Sequence, residues 1–168
     1  MGIRIEKAAP SNAAMLLEYL KQVGGETDNL TFGPEGMPFS VEAEAEFISS
    51  MEKSTDNIML LAKSGDKIVG CASLNRLPRR MKHRGDFAIS VAKDYWNKGM
   101  GSQLIDKIIL FARENDFEII DLQVRSDNKN AIHLYEKYGF EKIGEHPAFF
   151  KIDDENISFD SMCLKIYE

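Results

Sequence analysis

The chain has 168 residues, 43% of them hydrophobic and 29% charged, a composition that points to one soluble, ordered domain spanning 1–168 and excludes a disordered or fibrous chain. Its net charge of −6 speaks against a phosphate-seeking surface, and so against nucleic acid as the main partner. No apolar run approaches the ~20 residues that cross a bilayer, which speaks against a membrane role.

The acidity fits a cationic partner, though weakly. Cys71 and Cys163 share no metal or redox spacing and read as buried free thiols. With no secretory leader ahead of Ile3, and Glu6 where a myristoylation signal needs Ser or Thr, the expected location is cytoplasmic. His83, His133 and His146 are scattered, and no metal site is expected.

Ile3 and Ile5 alternate with Arg4 and Glu6, as in a half-buried strand. Pro10 and Ser11 open a helix with Ser11 as its cap; Met15, Leu16, Tyr19, Leu20 and Val23 line its apolar face and Gly24-Gly25 ends it. Residues 24–39 read as a long Gly/Pro-rich loop carrying Glu26, Asp28 and Phe32, a lid or the wall of an acceptor pocket. Ser40 caps a second helix, with Glu42 and Glu44 near its positive end. Ile58 to Ala62 and Lys67 to Leu74 form a hairpin about Ser64-Gly65-Asp66. Arg76 to Arg84 is a basic, solvated turn.

Phe87 to Val91 is an apolar strand, and Gly99 opens a helix reaching Arg113 with Leu104, Ile105, Ile108 and Ala112 on one face. Phe117 to Val124 reads as a buried parallel strand reached by that crossover. Ser126-Asp127-Asn128 starts a short helix whose stripe is Ala131, Leu134, Tyr135 and Tyr138, stopped by Gly139. Two strands follow, Phe140 to Ile152 and Ile157 to Ile166, turning at Asp153-Asp154. The order is β-α-α-β-β-β-α-β-α-β-β: an α/β chain with one mixed sheet and helices on both faces. Exposed strand edges near the end of the chain leave room for a homodimer.

Two helix starts carry the chemistry. In W-N-K-G-M-G, Trp96 to Gly101, the glycines leave backbone N–H groups unpaired at the positive end of a helix, and Lys98 adds a charge. That suits a phosphate or diphosphate. It is neither a P-loop, since no G-K-[ST] follows, nor a dinucleotide fingerprint, since the third glycine is missing. By itself it reads equally as a tight turn into a helix. The second start is V-R-S-D-N-K-N-A-I-H-L-Y-E-K-Y-G-F, Val124 to Phe140.

Together the two pieces resemble the GNAT N-acetyltransferase superfamily. The pattern [QR]-x-x-G-x-[GA] matches residues 96–101 except at Trp96, and V-x-x-x-N-x-x-A-x-x-L-Y-x-x-x-G-F matches at Val124, Asn128, Ala131, Leu134, Tyr135, Gly139 and Phe140. A Y-W-x-x-G-x-G loop is similar to the branch that includes ribosomal-protein and small-amine acetyltransferases. The resemblance implies a GNAT-like acyl-CoA N-acyltransferase fold and acetyl-CoA as cofactor. It implies a diphosphate on the amides of Asn97, Lys98, Gly99, Met100, Gly101 and Ser102, and a pantetheine arm on the backbone of Ile89 and Val91, in a gap that a bulge would open. Trp96 would pack beside the cofactor or cover the helix. Val91 N–H would polarise the thioester carbonyl.

The resemblance further implies that Asn128 caps its helix and contacts the cofactor, with Ala131 nearby, and that Tyr135 protonates the leaving thiolate, whose thiol has a pKa near ~8.5. Tyr135 otherwise reads as a core aromatic. Asp86 would take the proton of an ammonium of pKa ~10, or else is a solvated strand-edge carboxylate. Glu26, Asp28 and Phe32 are expected to bind the acceptor. The expected reaction is direct attack of a primary amine, from a small molecule or a protein N-terminus, on acetyl-CoA in a ternary complex. A non-catalytic acyl-CoA-binding sensor is the alternative.

Overall fold

In the computed structural model, which describes residues 2–167, the chain runs β1 (Ile3–Lys7), α1 (Ala13–Glu26), α2 (Val41–Met51), β2 (Asn57–Ser64), β3 (Lys67–Arg76), β4 (Arg84–Val91), α3 (Met100–Glu114), β5 (Ile119–Arg125), α4 (Lys129–Lys137), β6 (Glu141–Ile152) and β7 (Glu155–Lys165). This is the expected order of elements. The seven strands form one sheet in the order β1-β2-β3-β4-β5-β7-β6. Neighbours are antiparallel except β4 and β5, which α3 joins as a crossover.

Alternation along the strands makes two cores. Ala72, Leu74, Phe87, Ile120, Leu122 and Val124 face α3 and α4, where Leu104, Ile105, Ile108 and Phe140 meet them. On the other face Leu61, Ile68 and Cys71 pack under α1 and α2, against Leu16, Tyr19, Val23 and Ile48. Fully burying one such aliphatic side chain is worth about 1.5–3 kcal/mol, so these stripes fix which face each helix covers.

Several local expectations change. The chain enters α1 through a 3-10 turn, Pro10–Asn12, and the cap there is Asn12, whose Oδ1 accepts the Ala9 N–H at 2.8 Å; Ser11 is exposed. Gly24 and Gly25 do not end α1, which continues to Glu26. Gly24 is buried because the following loop lies on it: a Cβ there would stand 2.0 Å from the Gly33 carbonyl oxygen. That loop is held by its own contacts, with the Glu35 carboxylate accepting Gly33 N–H at 2.9 Å and with Leu30 and Phe32 packed on the α1/α2 core.

The basic turn is shorter than expected, because both of its flanking arginines belong to the sheet. Arg76 ends β3, donates to Asp56 at 2.8 Å and to the Asn115 carbonyl at 2.6 Å, and stacks 3.8 Å over the Phe117 ring. Arg84 opens β4 and grips the Asp121 carboxylate with two nitrogens at 2.8 and 2.5 Å. Ser40 caps α2 as expected, its hydroxyl accepting the Ala43 N–H at 3.1 Å. Gly139, at φ 96°, stops α4.

Candidate active site

The site begins where two strands part. β4 and β5 keep parallel register only at Arg84/Ile119, Gly85/Ile120 and Asp86/Asp121. Above Asp86 they diverge, while β4 stays in unbroken antiparallel register with β3 as far as Val91/Gly70. The gap therefore opens without a bulge in β4, contrary to the expectation. The backbone directions follow from alternation. Ala92 N–H donates to Val69 on β3 and the Arg84 carbonyl takes Leu77 N–H, whereas the His83 carbonyl serves β5. Odd-numbered residues of β4 thus turn their polar groups away from β3. The Asp86/Asp121 pair uses the Phe87 N–H, so the free edge along the gap is Ile89 and Val91, with the Phe87 carbonyl below them.

The turn after β4 supplies a second set of backbone groups. Asn97 and Gly99 adopt left-handed conformations, φ 58° and 79°. The first amides of α3 have no carbonyl one turn behind them and lie at the positive end of a 15-residue helix. Gly99 has open space around it, so its φ is what calls for glycine. Gly101 is needed for packing: a Cβ would come 3.0 Å from Leu134 of α4. Met100 is buried, which leaves its amide as the group it can offer. Lys98 folds back to the Asp94 carbonyl at 2.6 Å, and the Trp96 indole donates to the Val91 carbonyl at 2.8 Å.

Asn128 caps α4, its Oδ1 accepting Ala131 N–H at 3.3 Å. One and two turns on, Leu134 approaches Gly101, and the Tyr138 hydroxyl donates to the Ser102 carbonyl at 3.0 Å, fastening α4 to α3. Tyr135 lies inside this strap, 8% exposed, its ring edge-on to Phe87 at 6.3 Å and 5.7 Å from Phe140. Its hydroxyl meets no hydrogen-bonding partner among the described residues. Burial pushes the phenol up to about 12, so it is a neutral donor.

The opposite face of β4 carries Asp86, Ala88 and Ser90. Asp86 is exposed, but the strands packed beside it, and secondarily the like charge of Asp121, lift its carboxyl above the usual range. The Ser90 hydroxyl meets Tyr19 of α1 at 3.0 Å. Glu26 is engaged by the protein: one oxygen takes Gln22 at 2.8 Å and the other takes Lys93 N–H at 2.8 Å. Asp28 is exposed, its carbonyl 3.3 Å from Arg125, and Phe32 is half-buried against α1. Three strands also bring together Gln123, Ser161 and His146, with imidazole Nε2 at 2.8 Å from Ser161 Oγ and 3.4 Å from Gln123 Nε2. The sequence offers only alternation at these positions. Their meeting depends on cross-strand register that no local pattern encodes.

Among the described residues no three His, Cys, Asp or Glu side chains gather as metal ligands, and no helix is long and apolar enough to cross a membrane.

Residues 26–140 match the model of the acetyltransferase (GNAT) family. The chain is 31% identical over 100 residues to the N-alpha-acetyltransferase RimI of Mycobacterium tuberculosis, covering 59% of this chain and 61% of that protein. The chain spans about three-fifths or less of the length of the first curated relatives it matches. An acetyltransferase of the GNAT family from Streptococcus pneumoniae superposes with a TM-score of 0.94 at 31% identity, over 98% of this chain and 100% of the other. The protein yncA from Salmonella typhimurium, solved with its cofactor acetyl-CoA, superposes at 0.85 with 16% identity, over 100% and 96%, a likeness of fold. The family match over residues 26–140 and the superposition on a GNAT-family structure at 31% identity lead to one conclusion: this chain belongs to the GNAT acetyltransferase family.

Proposed function

We propose that the chain is an acetyl-CoA-dependent N-acetyltransferase that passes an acetyl group to a primary amine by direct attack in a ternary complex. The observation that carries this reading is the free edge of β4 at Ile89 and Val91, which begins at a helix-mouth amide cluster and runs down toward Tyr135, a buried ring whose hydroxyl has no protein partner among the described residues and keeps contact with solvent. A diphosphate on the amides of Asn97 to Ser102 would direct the pantetheine arm into the gap. The arm's amides would pair with Ile89 and Val91 as an added strand does. Asn128 and Ala131 border the arm from α4.

The amine loses a proton to Asp86, whose raised pKa suits a base better than an ordinary carboxylate. Asp86 lies five residues, about 17 Å, below Val91 along the strand, so a chain of waters carries the proton. Val91 N–H stabilises the oxyanion. The C–S bond then breaks, and the sulfur leaves against the Tyr135 hydroxyl. A phenol near 12 is a weaker acid than a thiol near ~8.5, so its main contribution is a hydrogen bond to the developing thiolate, with proton transfer following cleavage. Asp28 and Phe32, on the loop after α1, face the acceptor in this reading, and Glu26 anchors that loop. The acceptor is a small amine or, as the name of the RimI relative suggests, a protein N-terminus. One domain and a cytoplasmic location complete the proposal.

Tyr135→Phe is the test. Thiol release from acetyl-CoA with an amine panel should fall about 10- to 1000-fold in kcat, with acetyl-CoA affinity by calorimetry unchanged. Undiminished turnover removes Tyr135 from the reaction. Binding of acetyl-CoA with no thiol release on any amine leaves a sensor.

A further inference from the structure

The last peptide of β4 is held at both of its polar atoms just before the loop turns. The Val91–Ala92 peptide is gripped at both poles: its carbonyl accepts the Trp96 indole N–H at 2.8 Å, and its N–H donates to the Val69 carbonyl at 2.9 Å. The next amide, Lys93 N–H, donates to Glu26 at 2.8 Å. The chain then makes one 3-10 turn, closed by Tyr95 N–H to the Ala92 carbonyl at 2.9 Å. Trp96 leaves that turn in an extended conformation and sends its side chain back to the strand. The left-handed residues Asn97 and Gly99 come directly after it.

Trp96 is 39% exposed, so a large part of it stays in contact with water. Its one polar atom nevertheless meets the last carbonyl of the free edge at good geometry. Lys98, the other long side chain of the turn, bonds only within the turn, to Asp94. The indole is therefore the side-chain link, from inside the loop, between the amide cluster and the edge.

We propose that Trp96 is a positioning residue whose indole N–H, by pinning the Val91 carbonyl, fixes the diphosphate-binding amides at the correct distance from the strand edge that takes the pantetheine arm. This rests on the acetyl-CoA reading above. One ligand must touch both anchors at once, so a loop that drifts from the edge makes the two halves of the ligand compete. Holding the loop in place before binding removes that ordering cost. The carbonyl retains a second lone pair on the gap side for the ligand itself.

The variants are Trp96→Phe, which keeps an aromatic ring and loses the donor, and Trp96→Gln, which restores an N–H. Binding is measured by calorimetry for CoA and for its nucleotide half, 3′-phosphoadenosine 5′-diphosphate, which uses the loop alone. Trp96→Phe should weaken CoA about three- to tenfold, the worth of one neutral hydrogen bond, while the nucleotide half is held within about twofold. Trp96→Gln should recover most of the loss. Unchanged CoA affinity in Trp96→Phe overturns the proposal, as does an equal loss for CoA and its nucleotide half. Wild-type protein that binds neither ligand would instead defeat the cofactor reading.

Discussion

Asp86 carries a carboxyl that folding makes harder to ionise, first because strands pack beside it and then because Asp121 stands opposite in register. Its folded pKa lies above its unfolded one. The fold therefore binds that proton more tightly, and the stability this gives is present below the ordinary carboxylate range and is lost as pH rises through the raised value. At neutral pH the ionised carboxylate is a cost, and buried Glu44 of α2 bears one of the same sign. Asp86→Asn removes the cost together with the proposed base. The expected result is a melting point higher by roughly 1–2 °C at pH 7, small because the group keeps contact with water, and no gain near pH 3. In the same variant kcat/KM should fall about 100-fold. A variant that loses activity yet gains no stability at pH 7 would show that the carboxyl is not strained by the fold. A variant that keeps full activity would move the base elsewhere.

At the scale of elements, the apolar periods located each strand and helix, because each element buries one face and its pattern records that face. β4, α3 and α4, the elements that shape the gap, were legible for this reason, as was the Asn128 cap. What stayed hidden depends on contacts between distant segments. Gly24-Gly25 satisfies the local rule for a helix end, yet α1 runs through it since Gly33 lies against Gly24. Arg76 and Arg84 look like loop charges until Phe117 and Asp121 are placed beside them. Glu26 reads as an acceptor-binding residue of the loop, and its hold on Lys93 spans 67 residues. The two glycines give a test with opposite signs. An alanine Cβ at Gly24 would stand 2.0 Å from backbone oxygen, whereas at Gly25 it meets only Pro34 Cβ, at 3.5 Å. Gly24→Ala should cost about 1–3 kcal/mol in urea unfolding. Gly25→Ala should be neutral or stabilising by up to ~1 kcal/mol, the helix preference for alanine. Equal effects at the two positions would mean that α1 ends before them.

Across the whole molecule, the weakest seam is the one the cofactor would fill. Three register pairs and the Arg84–Asp121 pair join β4 to β5, and above them the two halves of the sheet are linked through α3 and α4. A ligand lying in the gap would touch both halves. Because it binds only the folded chain, saturating acetyl-CoA at about 100 times its Kd should add ~2.7 kcal/mol, a rise of roughly 5–10 °C in Tm for a chain of this size, in one transition. Gly99→Val, which forces a β-branched residue to φ 79°, should abolish the rise. A rise alone does not say where the ligand lies, but amide exchange does. In the free protein, Ala88, Ser90 and Ala92 turn their N–H groups to β3 and should be protected, while Ile89 and Val91 face the gap and should exchange fast. With acetyl-CoA bound, protection should spread into the odd-numbered amides nearest the loop and leave the even-numbered ones as they were. A thermal shift without that alternating pattern would put the ligand outside the seam, and both the path of the arm and the role of Val91 would fall with it.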